Sequence, residues 1–384
     1  MGFLLIDLLK MFFFLLFVSS GMNAQKYCVR VLLNEQTLTG KPIEISCSKG
    51  FTLVVPNGKK LSKKKYLAKK VVVNIKKLGT QTAIYINKQR FTKNRIYLVP
   101  CSEYLHFDGG NYQGSFLLAK EKDTLLLINC IDVEDYLFSV LRTESWPGWP
   151  LEVNKVFAIA CRSYALSMIL SSRNSKRLYH VRNTNHHQTY SGFHDHDHLK
   201  DAVIQTHGVY LSYNKKPIVA MFDSCCGGVI PAGIENTNFD DAPYLARDYA
   251  CTHCRRCKIY NWQAEFYLKD FEEILKNSLN DVYRLHGFTV KRRDKAGLVQ
   301  EVMLKGKPKD MIISGEKMYS VFKEIKSFYF NVSKKGEKIL FTGRGYGHHR
   351  GLCQWGAHEM VRHGWNHEKI LEFYYPGTEF AKLT

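Results

Sequence analysis

IDVEDYLFSVLRTESWPGWPLEVNKVFAIACRSYAL, residues 131–166, is the stretch from which the rest of the chain is read. It opens with an acidic, aromatic segment and carries one carboxylate, Glu144, between Thr143 and the pair Trp146 and Trp149. A helix is expected to begin near Pro150, since proline suits a first helical turn where its missing N–H has no partner anyway. Within it Val153, Val156, Phe157, Ala160, Cys161, Tyr164, Ala165 and Met168 recur at steps of three and four, the helical period. Glu144 therefore sits just ahead of a buried helix, in a stiff apolar segment with two prolines and two tryptophans. Desolvation against indole rings disfavours the charged form of a carboxyl and raises its pKa. A carboxyl kept protonated near neutral pH can act as a general acid. A plainer role is also open: Glu144 as a helix cap, or as the partner of Arg142 or Arg162.

Upstream, residues 25–130 read as short strands (VRVLL, TLVV, VVVNI, AIYI, IYLV, SFLLA, TLLLIN) separated by turns rich in Gly, Asn and Lys. The expected fold class is α+β, with a β-rich N-terminal region followed by a mixed α/β core over 131–384. The lysine run KKKYLAKK, 63–70, reads as a solvated turn or edge, where lysine discourages edge-to-edge pairing. Residues 1–24 read as an export signal or an N-terminal anchor, with MFFFLLFV as the apolar stretch and small residues behind it. Its single lysine and short length leave cleavage and anchoring both open. The chain is thus expected to work outside the cytoplasm and to touch membrane only through that segment. A formal charge of +20 attracts polyanions such as wall polymers. No RNP motif, zinc finger or recognition-helix pattern accompanies it, which argues against nucleic acid.

Downstream, NTNHHQTYSG at 183–192 and HDHDH at 194–198 concentrate imidazoles. Gln188 and Tyr190 read as a polar cleft wall able to hydrogen-bond sugar hydroxyls, and His186 and His187 are candidate metal ligands. In FDSCCGG, 222–228, Ser224 is a candidate sugar-binding hydroxyl, Cys225 or Cys226 is structural, and the glycine pair lets backbone approach a ligand. CTHCRRC at 251–257 offers Cys251, Cys254 and Cys257, with His253, Cys225 or Cys226 able to complete four ligands. Zinc as a structural ion, disulfides and free thiols are all open for it, and no cofactor is required for the chemistry. GRGYGHHRGLCQWGA at 343–357 packs glycines among Tyr346, His348, Gln354 and Trp355, a mix suited to a carbohydrate.

These blocks, with YYPGTEF at 374–380, resemble in order the signature of the stage II sporulation protein D family, which includes the amidase-enhancer proteins. The resemblance implies a peptidoglycan lytic transglycosylase that cleaves MurNAc–GlcNAc bonds with 1,6-anhydro-MurNAc formation, with Glu144 as acid and then base. The alternative it carries is a non-catalytic, wall-binding enhancer of a cell-wall amidase. Arg162, Tyr164, Gln188, Tyr190, Ser224, Tyr346, His348, Gln354 and Trp149 are assigned to the glycan, and the expected partners are glycan strands and an amidase. Departures from the family pattern fall at Ser145–Trp146, where Met-Pro is usual, at His349 and Arg350, and at Cys353, where Ser is common. The histidine block also lacks the cysteines with which some members bind zinc.

Overall fold

The computed structural model describes residues 27–58, 60–184, 186–279 and 284–384; the expected signal at 1–24 lies outside them. The chain is α+β and β-rich at its N-terminal end. It separates into two compact units, one running to Val209 and taking in Lys382–Thr384, the other Tyr210–Ala381. The strand Thr124–Asp132 crosses the boundary expected at 130/131 and runs straight into the next helix.

In the first unit a seven-stranded sheet has the order Val181–Arg182, Cys28–Thr37, Thr124–Asp132, Ser115–Glu121, Arg95–Pro100, Phe51–Asn57, Lys60–Tyr66. A six-stranded sheet contains Lys70–Leu78, whose Val71, Val73 and Ile75 alternate inward, the two-residue period of a half-buried strand. The lysine run forms the edge strand Lys60–Tyr66, with Lys63, Lys64 and Lys65 exposed along it. Charge there blocks further strand addition.

Asp132 ends its strand and caps the next element, its carboxylate accepting from Glu134 N at 2.8 Å. That element is α1, Val133–Glu144, which the sequence reading left as an acidic, aromatic segment. Val133, Tyr136, Leu137, Val140 and Leu141 bury one face at helical spacing. Glu144 is its last residue. Ser145 is extended, with φ −120°, and Pro147 and Pro150 fall in the connection that follows. Helix α2, Leu151–Ser171, then starts behind Pro150, as expected. It is apolar and long enough to cross a membrane, yet mostly buried within its own unit, as a core helix is. The short α3, Asp197–Gln205, packs against both.

The second unit carries two three-stranded sheets, Asn261–Tyr267 with Lys338–Arg344 and Phe330–Lys335, and Arg284–Arg293 with Val299–Lys307 and Met311–Ser314. Helices α4, Leu268–Leu279, and α5, Gly315–Val321, close a core in which Phe271 stacks on Phe322 with ring centroids 4.2 Å apart. WQAEFY, 262–267, is strand, and only from Leu268 does the chain turn helical. PIVAMF, 217–222, is strand only at its two ends. Two further helices follow, α6, Gln354–Arg362, and α7, His367–Tyr374. Asn366 caps α7, its side chain accepting from Lys369 N at 3.0 Å. Asn366→Ala is expected to cost about 1 kcal/mol, read as a lower denaturant midpoint at unchanged slope.

Candidate active site

Glu144 is half-buried at the C-terminal end of α1, and its Oε1 accepts from Thr189 N at 2.6 Å. Burial raises its pKa, with the Thr189 N–H and hydroxyl pulling the other way. The helix end adds to the rise in principle, because the negative pole of the macrodipole disfavours an anion there. Tyr136, Cys161 and Tyr164 feel the charge of Glu144, so the groups around the carboxyl come from α1 and α2. The two tryptophans instead stack on each other at 6.0 Å, with Trp146 58 % exposed and Trp149 half-buried. They present an aromatic surface two and five residues beyond the acid, while burial by the helices raises its pKa.

The connection between α1 and α2 is held from inside. Buried Ser145 donates to Asn154 Oδ1 at 2.5 Å, and Asn154 Nδ2 donates to Trp149 O at 3.2 Å. The serine that follows Glu144 is thus half of a buried polar pair. Thr143 Oγ1 donates to Thr189 O at 2.6 Å, so Thr189 is tied to the helix end through both of its backbone groups.

The other first-unit candidates divide by burial. Arg162, placed on the glycan by the sequence reading, is fully buried, and its guanidinium grips Glu134 in two bonds of 2.9 and 2.6 Å. A third donor reaches Val209 O at 2.8 Å. Gln188, 1 % exposed, accepts from Tyr136 OH at 2.9 Å and donates to Cys161 O. Tyr190, 2 % exposed, donates to Asn129 Oδ1 at 2.6 Å and stacks on Tyr136. None of the three faces solvent; Gln188 and Tyr190 hold the segment that carries Thr189, while Arg162 ties α2 to Glu134 and Val209. Tyr164 is half-buried, its hydroxyl 2.8 Å from His187 Nδ1 and its pKa pushed up to about 12, chiefly by burial and then by Glu144.

The histidines do not converge on a metal. His186 is exposed, and His187 pairs with Tyr164. His194 is buried with Nε2 2.6 Å from Phe138 O, while its Nδ1 accepts from His196 N at 3.2 Å, so both ring nitrogens are engaged. Among the described residues the one metal-capable group of His, Cys, Asp or Glu lies in the second unit: Cys226, Cys251, Cys254 and Cys353.

The second unit holds Ser224, Tyr346, His348 and Gln354. Ser224 and Gln354 are half-buried beside the parallel pairing of Phe222–Asp223 with Leu352–Cys353, and Ser224 O accepts from Trp355 N at 3.2 Å. Tyr346 is 38 % exposed, its backbone bridged to Cys225. Burial pushes His348 down to about 3, which leaves a neutral imidazole whose Nδ1 accepts from Arg350 N. Gly227, at φ +59°, has no room for a Cβ because the Arg344–Gly345 backbone lies against it. The glycine pair therefore admits the protein's own loop. Cys257, grouped by sequence with Cys251 and Cys254, faces Cys225 instead, at 3.7 Å between sulfurs. His253 packs against Trp365, His363 and Phe373.

A family model described as Stage II sporulation protein matches residues 121–213, and one described as a domain of unknown function matches 243–351. An uncharacterized protein of Brachyspira hyodysenteriae is 29 % identical over 275 residues, covering 71 % of this chain and 73 % of that protein. Stage II sporulation protein D of Bacillus subtilis is 26 % identical over 269 residues, 66 % of this chain and 75 % of that protein. The amidase enhancer of the same organism is 26 % identical over 288 residues, and the match spans 40 % of its length. The segment that matches the first model holds α1, Glu144, α2 and the Thr189 segment, and these similarities support the stage II sporulation protein D family.

Proposed function

We propose that this chain is an extracytoplasmic peptidoglycan lytic transglycosylase in which a single carboxyl, Glu144, serves as acid and then as base. The observation that carries the reading is the half-buried carboxyl at a helix end, shifted toward its protonated form and gripped by Thr189. In the first step it protonates the MurNAc–GlcNAc bridging oxygen as the bond to the anomeric carbon breaks. The resulting carboxylate then takes the proton from the C6 hydroxyl of MurNAc. The C6 oxygen closes on the anomeric carbon, giving the 1,6-anhydro ring and regenerating the acid. The nucleophile is the substrate's own, so one carboxyl suffices.

Hydrolytic glycosidases need two carboxyls roughly 5 to 9.5 Å apart. Asp135, pushed up to about 6 by burial beside Asp132 and Glu134, sits nine residues earlier on the same helix. At 1.5 Å per residue that is about 13 Å, too far to share a glycosidic bond. Glu152 pairs with Lys155 at 2.7 Å. The exposed Trp146–Trp149 stack suits the face of a sugar ring.

Similarity to the amidase enhancer supports a second reading, a wall-binding protein that acts on an amidase partner. Incubating the purified chain with glycan strands, with and without stem peptides, separates the two by mass spectrometry of the products. Anhydro-terminated fragments are expected. Their absence, together with sacculus binding and faster release of stem peptides by an added amidase, would sink the enzyme and leave the enhancer.

A further inference from the structure

We propose that Cys226, Cys251, Cys254 and Cys353 are the four ligands of a structural zinc ion in the second unit. All four are buried, and their sulfurs lie within 4.8 Å of one another. A tetrahedral zinc with bonds of about 2.3 Å sets its sulfurs roughly 3.8 Å apart; Cys226 and Cys254 already stand at 3.6 Å. Four sulfurs mutually this close form one set, whereas disulfides would draw them into two pairs. Cys225, which faces Cys257 at 3.7 Å, also reaches Cys254 and Cys353 but is not one of the four mutually close sulfurs.

The surroundings are those of thiolate ligands. Cys353 Sγ accepts from Cys226 N at 3.2 Å and from Gly356 N at 3.3 Å, and Tyr374 OH lies 3.1 Å from Cys251 Sγ. Hydrogen bonds from such outer groups orient ligands and offset their charge. Gly356 admits no side chain, because a Cβ there would run into Tyr374 OH and fall 2.9 Å from Cys251 Sγ. Arg247 supplies an independent observation. It is 1 % exposed, its Nε and Nη2 have no partner among the described residues, and its guanidinium lies 5.6 Å from the Tyr374 ring. A buried cation calls for buried negative charge, and buried Asp223, which feels the charge of Arg247, is one source of it. Four thiolates around one Zn²⁺ carry a net charge of −2, and Tyr374 is in contact with both the guanidinium and the cluster.

Such an ion ties together three segments distant in sequence: the turn at Cys226, the 3-10 turn at His253–Arg256, and the start of α6 at Cys353. The test is elemental analysis of the purified full chain, paired with alkylation and peptide mapping of its cysteines. About one zinc per chain is expected, with the four cysteines alkylated only after chelation under denaturing conditions. Cys257→Ser should keep the zinc and Cys254→Ser should lose it. If Cys254→Ser fails to fold, cobalt exchanged into the wild-type chain should give the visible bands of a tetrahedral thiolate site. Metal-free wild-type protein with these cysteines in disulfides, zinc lost from Cys257→Ser but kept in Cys254→Ser, or a cobalt spectrum without those bands would each overturn the assignment.

Discussion

Glu144→Gln is expected to cut the formation of anhydro products by roughly 10²- to 10⁴-fold, the usual worth of a positioned acid–base group. The fold should survive, because the glutamine oxygen can still accept from Thr189 N as Glu144 does at 2.6 Å. The pH dependence separates a catalytic acid from a structural one. Burial raises the folded pKa of Glu144, so the native state holds this proton more tightly than the unfolded chain. Stability contributed by this group is therefore lost as pH rises from the ordinary carboxyl range through the folded pKa, and then levels off. The amide has no such loss, so Glu144→Gln should melt no lower than wild type near neutrality. Melting temperatures of both proteins across that range, beside product yields, check the claim. A variant that loses stability in step with activity would make Glu144 a structural residue.

Arg162→Ala is expected to be the most damaging single change in the first unit. It leaves Glu134 without the partner it meets in two bonds, at a side chain that is itself 16 % exposed. Breaking one side of such a buried pair costs about 3–5 kcal/mol. For a unit of this size that is a fall in melting temperature of roughly 6–20 °C. The Glu134→Gln, Arg162→Met pair should recover much of the loss, because neither charge is then stranded. Thermal melts of single and double variants read this directly. If Arg162→Ala melted like wild type while losing glycan affinity, the arginine would belong to the substrate after all.

What could be read from the sequence follows from how far apart the interacting residues lie. The strands before Cys130, the helix behind Pro150 and the cap at Asn366 are written in local spacing, and the structure has them. Helix α1 was missed because Glu134, Asp135 and the aromatic residues read as polar lead-in; its buried stripe repeats only over three turns. Thr189, which grips the acid, is 45 residues from it, and no periodicity links the two. Arg162 looked available because a lone arginine in a helix carries no mark of its partner 28 residues away. The cysteines show the same limit. C-x2-C spacing pointed to Cys251 and Cys254 but drew in Cys257, while Cys353, 127 residues beyond Cys226, stood out only as a departure from the family pattern. Ser145 is similar: its partner Asn154 lies nine residues on, across the connection between α1 and α2.

Asp132 is both the last residue of a strand inside the seven-stranded sheet and the side chain that starts the helix bearing the acid. Nothing flexible lies between them. The sheet is therefore the bedplate on which Glu144 is carried, and a cut at the strand's end would leave α1 with neither its first-turn partner nor the sheet that sets its direction.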